Sequence, residues 1–127
     1  NLIEDYTPEI RNTIDIDSSI WDAIHAGMRT VIEKKQYYKD LAVNVAGKTG
    51  TAQEGRNRTN HAVFLSYAPY ENPEISITVR IAYGYSSDYA AQTARDVYKY
   101  YYGLAGEDEL LTGTAEIPET VSGIQQD

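Results

Sequence analysis

The 127-residue chain contains no cysteine. Disulfides and thiolate metal sites are therefore excluded, and two histidines are the only remaining soft ligands. Such a composition suits an extracytoplasmic protein without requiring one. No apolar run approaches the roughly 20 residues that a membrane-spanning helix needs, and no signal peptide is visible. The single methionine is Met28, and the chain opens on the polar stretch NLIEDYTPEI, which reads as the start of a fragment or of a processed chain. Positive charge is also scarce. The formal net charge is −8, and residues 103–127 carry six acidic residues with no Lys or Arg. The rest of the chain is nearly balanced, without the basic stripe that a nucleic-acid partner would require.

What is present is one domain's worth of alternating patterns. Residues 9–16, EIRNTIDI, place isoleucines at Ile10, Ile14 and Ile16 among polar neighbours, the pattern of a strand or an extended lead-in. The period then changes. Ile20, Ala23/Ile24, Gly27/Met28 and Val31/Ile32 recur at helical spacing, with Ser19-x-x-Asp22 as a capping box and Lys34 and Lys35 at the end the helix dipole favours. Residues 41–53 read as a strand around Val43 and Val45, and EGRNRTN as a polar turn. HAVFLSYA is a strand closed by PYENPE, whose two prolines mark a hairpin loop. ISITVRIAYG follows, with Ile75, Ile77, Val79 and Ile81 on one face. Ser86 or Ser87 can cap a final helix in which Ala90, Ala94, Val97/Tyr98 and Tyr101 share a face and Gly103 supplies the stop. The short connections between residues 43 and 83 imply a three-strand antiparallel meander covered by helices, an α+β fold.

The chemistry concentrates in AGKTGTAQ, residues 46–53. Gly47-Lys48-Thr49 could end a phosphate loop, but that motif needs glycine five residues before Gly47 and a helix directly after Thr49. Position 42 is alanine, and Gly-Thr-Ala-Gln-Glu-Gly leads to another strand rather than a helix. The other reading is a strand edge that offers one cation and two hydroxyls to a carboxylate.

Lys48-Thr49-Gly50 is also the Lys-Thr-Gly triad of serine acyl-transferases that recognise penicillin. Its surroundings, VAGKTGTAQ, then NHAVFLSYAP, a second strand, a glycine turn and a closing amphipathic helix, resemble the C-terminal end of class B penicillin-binding proteins, the elongation type most of all. The upstream helix IWDAIHAGMRTVI resembles the family's Gly-Met-x-x-Val helix, and the likeness spans about residues 8–103. It implies the penicillin-binding, serine β-lactamase-like transpeptidase fold, with residues 1–103 as the C-terminal portion of such a domain and 104–127 as an acidic, flexible tail. It also implies a D,D-transpeptidase that cross-links peptidoglycan by serine acyl transfer, with no cofactor or metal. Its partners would be the stem peptide ending in D-Ala-D-Ala, β-lactams, the upstream remainder of its own domain and the cell-wall elongation complex. The protein would act outside the cytoplasmic membrane, held by an upstream membrane helix.

On this resemblance Lys48 is a catalytic and substrate-binding cation, and Thr49, Gly50 and Thr51 bind substrate. The Thr51 backbone N–H forms half of an oxyanion hole. Strict alternation, however, puts Lys48 on the opposite face from Thr49 and Thr51. The family's Ser-x-x-Lys is missing, since the residues three before Lys34, Lys35, Lys39, Lys48 and Lys99 are Val31, Ile32, Gln36, Val45 and Asp96. Ser-x-Asn is missing too. The Tyr70-Glu71-Asn72 sequence only mimics a variant of it, from a proline-flanked turn after the motif strand. This chain by itself is therefore expected to be inactive. A serine β-lactamase or β-lactam sensor shares the triad, and a non-catalytic binding module could share the sheet.

Other residues take plainer readings. His25 is a partly buried or surface side chain, and His61 a packing or hydrogen-bonding residue near the sheet end. Tyr98 to Tyr102 form core and rim, Arg56 and Arg58 a solvated loop, and Trp21 belongs to the core.

Overall fold

The computed structural model describes residues 9–53 and 58–111. Helix α1 (Ser18–Glu33) leads through a 3-10 turn at Gln36–Tyr38 into strands β1 (Ala46–Ala52), β2 (His61–Ala68) and β3 (Ile75–Ile81), then α2 (Ser87–Tyr101) and a short α3 (Glu107–Leu110). The strands form one antiparallel sheet in the order β1-β2-β3. The meander and the two long helices thus stand as the sequence implies.

Helix α1 starts because Asp17, in an extended conformation, turns its carboxylate back onto the Ser19 N–H at 2.8 Å. Asp17, rather than a Ser19–Asp22 box, is therefore the cap. It precedes the first helical residue, which leaves Ser19 already inside the first turn. The hydrogen bonds from Ser19 hold the Asp17 carboxyl below its usual range. Ser86 caps α2 by accepting from the Asp88 N–H, and Gly103, at φ 64, takes the left-handed position after its end.

Residues 9–16 are not a strand. They lie exposed without regular structure, Ile10 being 85% accessible. Alternation alone cannot make a strand where no neighbour's backbone is offered for pairing. The motif strand also begins later than the valines suggest. The Val45 carbonyl accepts from Arg29 at 2.9 Å and the Asn44 carbonyl from the Tyr70 N–H at 2.8 Å, so this backbone is engaged elsewhere and the ladder starts at Ala46.

One face of the sheet carries Ala62, Phe64, Ser66 and Ala68, in register with Ile81, Val79, Ile77 and Ile75. Helix α2 covers it with buried Ala90, Ala91, Ala94 and Tyr98, the Tyr98 hydroxyl lying 2.9 Å from Ser66 Oγ. Its inner face is one step around from the expected one, for Val97 and Tyr101 are exposed and Ala91 is buried. Three alanines let the helix approach the sheet closely, and the tyrosine fills the space beyond them. Burial pushes the Tyr98 hydroxyl up to about 12.

Before the sheet, the 3-10 turn is tied to α2. Tyr38 Oη donates to the Ala91 carbonyl, and Lys35 and Tyr37 both bond the Asp88 carboxylate. Burial acts to raise the Asp88 carboxyl, but those bonds and the Lys35 charge outweigh it and hold the group below its usual range. Helix α1 meets the other face at one end, through His25 against the Tyr67 ring and buried Ile32. Trp21, expected in the core, is exposed, since only the C-terminal turns of α1 reach the sheet.

The acidic stretch after residue 103 opens with the single helical turn of α3, and residues 112–127 fall outside the described residues.

Candidate active site

Strand β1 carries AGKTGTA, and its seven residues pair with β2 from Ala46↔Tyr67 to Ala52↔His61. Among the described residues nothing pairs with its other side, so one edge of the strand is open. Lys48, Thr49, Gly50 and Thr51 lie together in the middle of this edge.

Cross-strand register fixes the faces. Thr49 and Thr51 stand opposite Phe64 and Ala62, on the α2 side, while Lys48 stands opposite Leu65 on the other. The alternation expected from the sequence is therefore real. The lysine nevertheless overcomes it, because its Nζ donates to the Thr49 carbonyl at 2.5 Å. A flexible four-carbon stem lets a residue on the exposed face bring its ammonium round to the backbone between the threonines. The cation and the two hydroxyls thus come to one stretch of strand.

The two glycines of the motif differ in what requires them. A Cβ at Gly47 would lie 2.6 Å from the Phe64 ring and 2.9 Å from the Leu65 carbonyl oxygen, so the core demands glycine there. A Cβ at Gly50 would meet only the Val63 Cβ, at 3.9 Å, an ordinary contact. Nothing in the fold around Gly50 excludes a side chain. Glycine at this position leaves the strand surface bare for something that comes close to it.

His61 opens β2 opposite Ala52 and is buried. Its Nδ1 accepts from the Tyr83 N–H at 3.0 Å, and its ring lies 4.8 Å from that of Tyr83. It is the packing and hydrogen-bonding residue the sequence suggests. His25 is exposed, between Trp21 and Tyr67. Arg58 is exposed as well but engages Tyr83, and Arg56 lies outside the described residues. The segment that sequence reasoning missed is Tyr83-Gly84-Tyr85. Both tyrosines have positive φ, and the flanked glycine after a strand was the only signal.

An α+β domain that presents Lys-Thr-Gly-Thr on an open antiparallel edge, backed by a C-terminal helix, defines a class that known proteins share. Residues 2–99 match the penicillin binding protein transpeptidase domain, and the chain belongs to that family. Two curated relatives are similar. Penicillin-binding protein 2A of Bacillus subtilis is 33% identical over 66% of this chain. The peptidoglycan D,D-transpeptidase MrdA of Haemophilus influenzae is 35% identical over 64% of it. The matched stretch is 13% and 16% of their respective lengths, so the chain spans a small part of each. Among solved structures, Pseudomonas aeruginosa PBP2 in complex with WCK 5153 superposes at a TM-score of 0.62. It is 26% identical, over 87% of this chain and 26% of that one.

Proposed function

We propose that this chain is the C-terminal portion of a serine-type D-Ala-D-Ala transpeptidase, with residues 1–103 inside the catalytic domain and 104–127 forming an acidic tail. The observation that carries the reading is the open edge at Lys48–Thr51, where a bare glycine sits between a lysine and two threonines. An extended peptide can add to such an edge as a further strand, through main-chain hydrogen bonds. Lys48 with the Thr49 and Thr51 hydroxyls then anchors the terminal carboxylate by charge-assisted bonds. The Thr51 N–H donates to the carbonyl oxygen as it becomes an oxyanion, which is the largest service a backbone amide can give acyl transfer.

The nucleophile and its base are supplied by the upstream part of the domain. Serine Oγ adds to the penultimate D-Ala carbonyl, the terminal D-Ala departs as the amine, and an amine of a second stem peptide takes the acyl group from the serine. No cofactor enters this chemistry. Similarity to PBP2-type relatives supports a protein on the extracytoplasmic face of the membrane, anchored by an upstream helix and serving wall elongation and cell shape. β-Lactams would acylate the same serine.

A labelled penicillin tests the reading. The full-length protein should form a stoichiometric adduct on a serine outside these residues, and the 127-residue chain alone should form none. An adduct on Ser18 or Ser66, or an inert full-length protein, would overturn it. Rapid release of hydrolysed penicillin would instead favour the β-lactamase reading.

A further inference from the structure

The connection from β3 to α2 is the strained part of the chain. Tyr83 (φ 54) and Tyr85 (φ 67) both lie in the left-handed region, which non-glycine residues adopt only when their surroundings over-determine it. Those surroundings are four consecutive residues. Arg58 Nη1 donates to Tyr83 Oη at 2.6 Å, and Thr59 Oγ1 to the Tyr83 carbonyl at 3.0 Å. The Asn60 carbonyl accepts from the Tyr85 N–H at 3.2 Å, and His61 Nδ1 from the Tyr83 N–H at 3.0 Å. Gly84 between them is pressed onto the sheet, for a Cβ there would lie 2.8 Å from Ile81 and 3.0 Å from Ala62. The outcome is an exposed Tyr83 ring held in one orientation, with the Arg58 guanidinium 5.3 Å from its centre.

This pair stands just past the end of the motif strand, whose last residue, Ala52, is paired with His61. The reading of the site given above supplies a direction. If Lys48 and Thr49 hold the donor's terminal carboxylate and Thr51 its scissile carbonyl, the donor runs along β1 from Lys48 toward Ala52. Its acyl side then leaves the strand toward the Arg58–Tyr83 pair, about 7 Å or two extended residues beyond Thr51. An arginine laid on an aromatic ring presents a planar, pre-oriented fork suited to a carboxylate. Among the described residues Arg58 has no carboxylate partner of its own.

We infer that Arg58, seated on Tyr83, is a specificity-determining residue that recognises a free carboxylate borne on the acyl side of the donor. This rests on the transpeptidase reading, and a matched pair of β-lactams separates the two. Benzylpenicillin and its α-carboxy analogue carbenicillin differ by a carboxylate on the acyl side chain. In the full-length protein, the ratio of second-order acylation rate constants, carbenicillin over benzylpenicillin, should fall at least threefold in Arg58→Met. Arg58→Lys, which keeps the charge without the fork, should fall between the two. A ratio in Arg58→Met within threefold of the parent's overturns the inference while the parent's acylation upholds the transpeptidase reading. A parent protein inert to both compounds overturns both.

Discussion

The two long helices lie against opposite faces of one sheet and are seated very differently. Helix α2 buries Ala90, Ala91, Ala94 and Tyr98 completely, whereas α1 buries only Ile32 and leaves Ile20, Trp21 and Ile24 49%, 37% and 45% accessible. Leu65, the cross-strand neighbour of Lys48, is exposed on the α1 face too. The α2 face is thus a finished core built from this chain's own residues. The face bearing Lys48 and α1 is apolar and uncovered, and the open edge of β1 runs along it. Stability and site are therefore separated across the sheet. Under the transpeptidase reading, the upstream part of the domain covers α1 and brings the nucleophile to the Lys48 side.

Substitutions can probe that separation. The largest effect is expected at Phe64, buried at the centre of the α2 face. Phe64→Ala should cost about 3–5 kcal/mol in denaturant-induced unfolding, enough to unfold much of a marginally stable domain. Next come the two glycines of one strand. Gly47→Ala drives a Cβ toward the Phe64 ring and a backbone oxygen that cannot swing away, and should cost about 1–3 kcal/mol. Gly50→Ala should be nearly neutral in the same unfolding experiment, yet slow penicillin acylation of the full-length protein. Equal destabilisation by both substitutions would erase the distinction between a core glycine and a site glycine.

Asp88 gives a smaller effect with a pH signature. Its carboxyl is held low in the folded state, so its stabilising contribution is full above the usual carboxylate range of about 4 and is lost as pH falls through the lowered value. Asp88→Asn should reduce stability at neutral pH and flatten the acid limb of the stability–pH curve. The effect will be modest, since the Asp88 side chain is partly exposed. Smallest is Ile24→Ser on α1, expected to shift the stability of this chain by no more than about 0.5 kcal/mol, as for other surface positions. A loss as large as that of Phe64→Ala would mean that α1 is seated as firmly as α2.

The sequence displayed whatever depends on local chemistry. The periods of β2, β3 and both helices, the serine cap of α2 and Gly103 after its end were all legible, because each is written within a few neighbouring residues. Lys48, Thr49, Gly50 and Thr51 were legible as a motif. Their common edge was not, since an open side is a property of strand order. Trp21 and Ile10 misled because apolar character says that a residue should be covered, not that this chain covers it. The late start of β1 depends on Arg29, sixteen residues upstream of the carbonyl it binds. The left-handed tyrosines were hidden for a similar reason. Their side chains favour no such conformation, and it is imposed by Arg58 to His61 from across the sheet.

The account turns on the claim that the open edge of β1 is where a substrate carboxylate is held. Thr51→Val in the full-length protein tests it most directly, keeping the β-branched shape and the backbone N–H while removing the hydroxyl. A hydrogen bond to a charged group is worth about 1.5–3 kcal/mol, so acylation by benzylpenicillin should slow roughly tenfold to hundredfold. The unfolding midpoint should stay in place. Acylation at the parent rate, by penicillins and stem peptides alike, would contradict the claim.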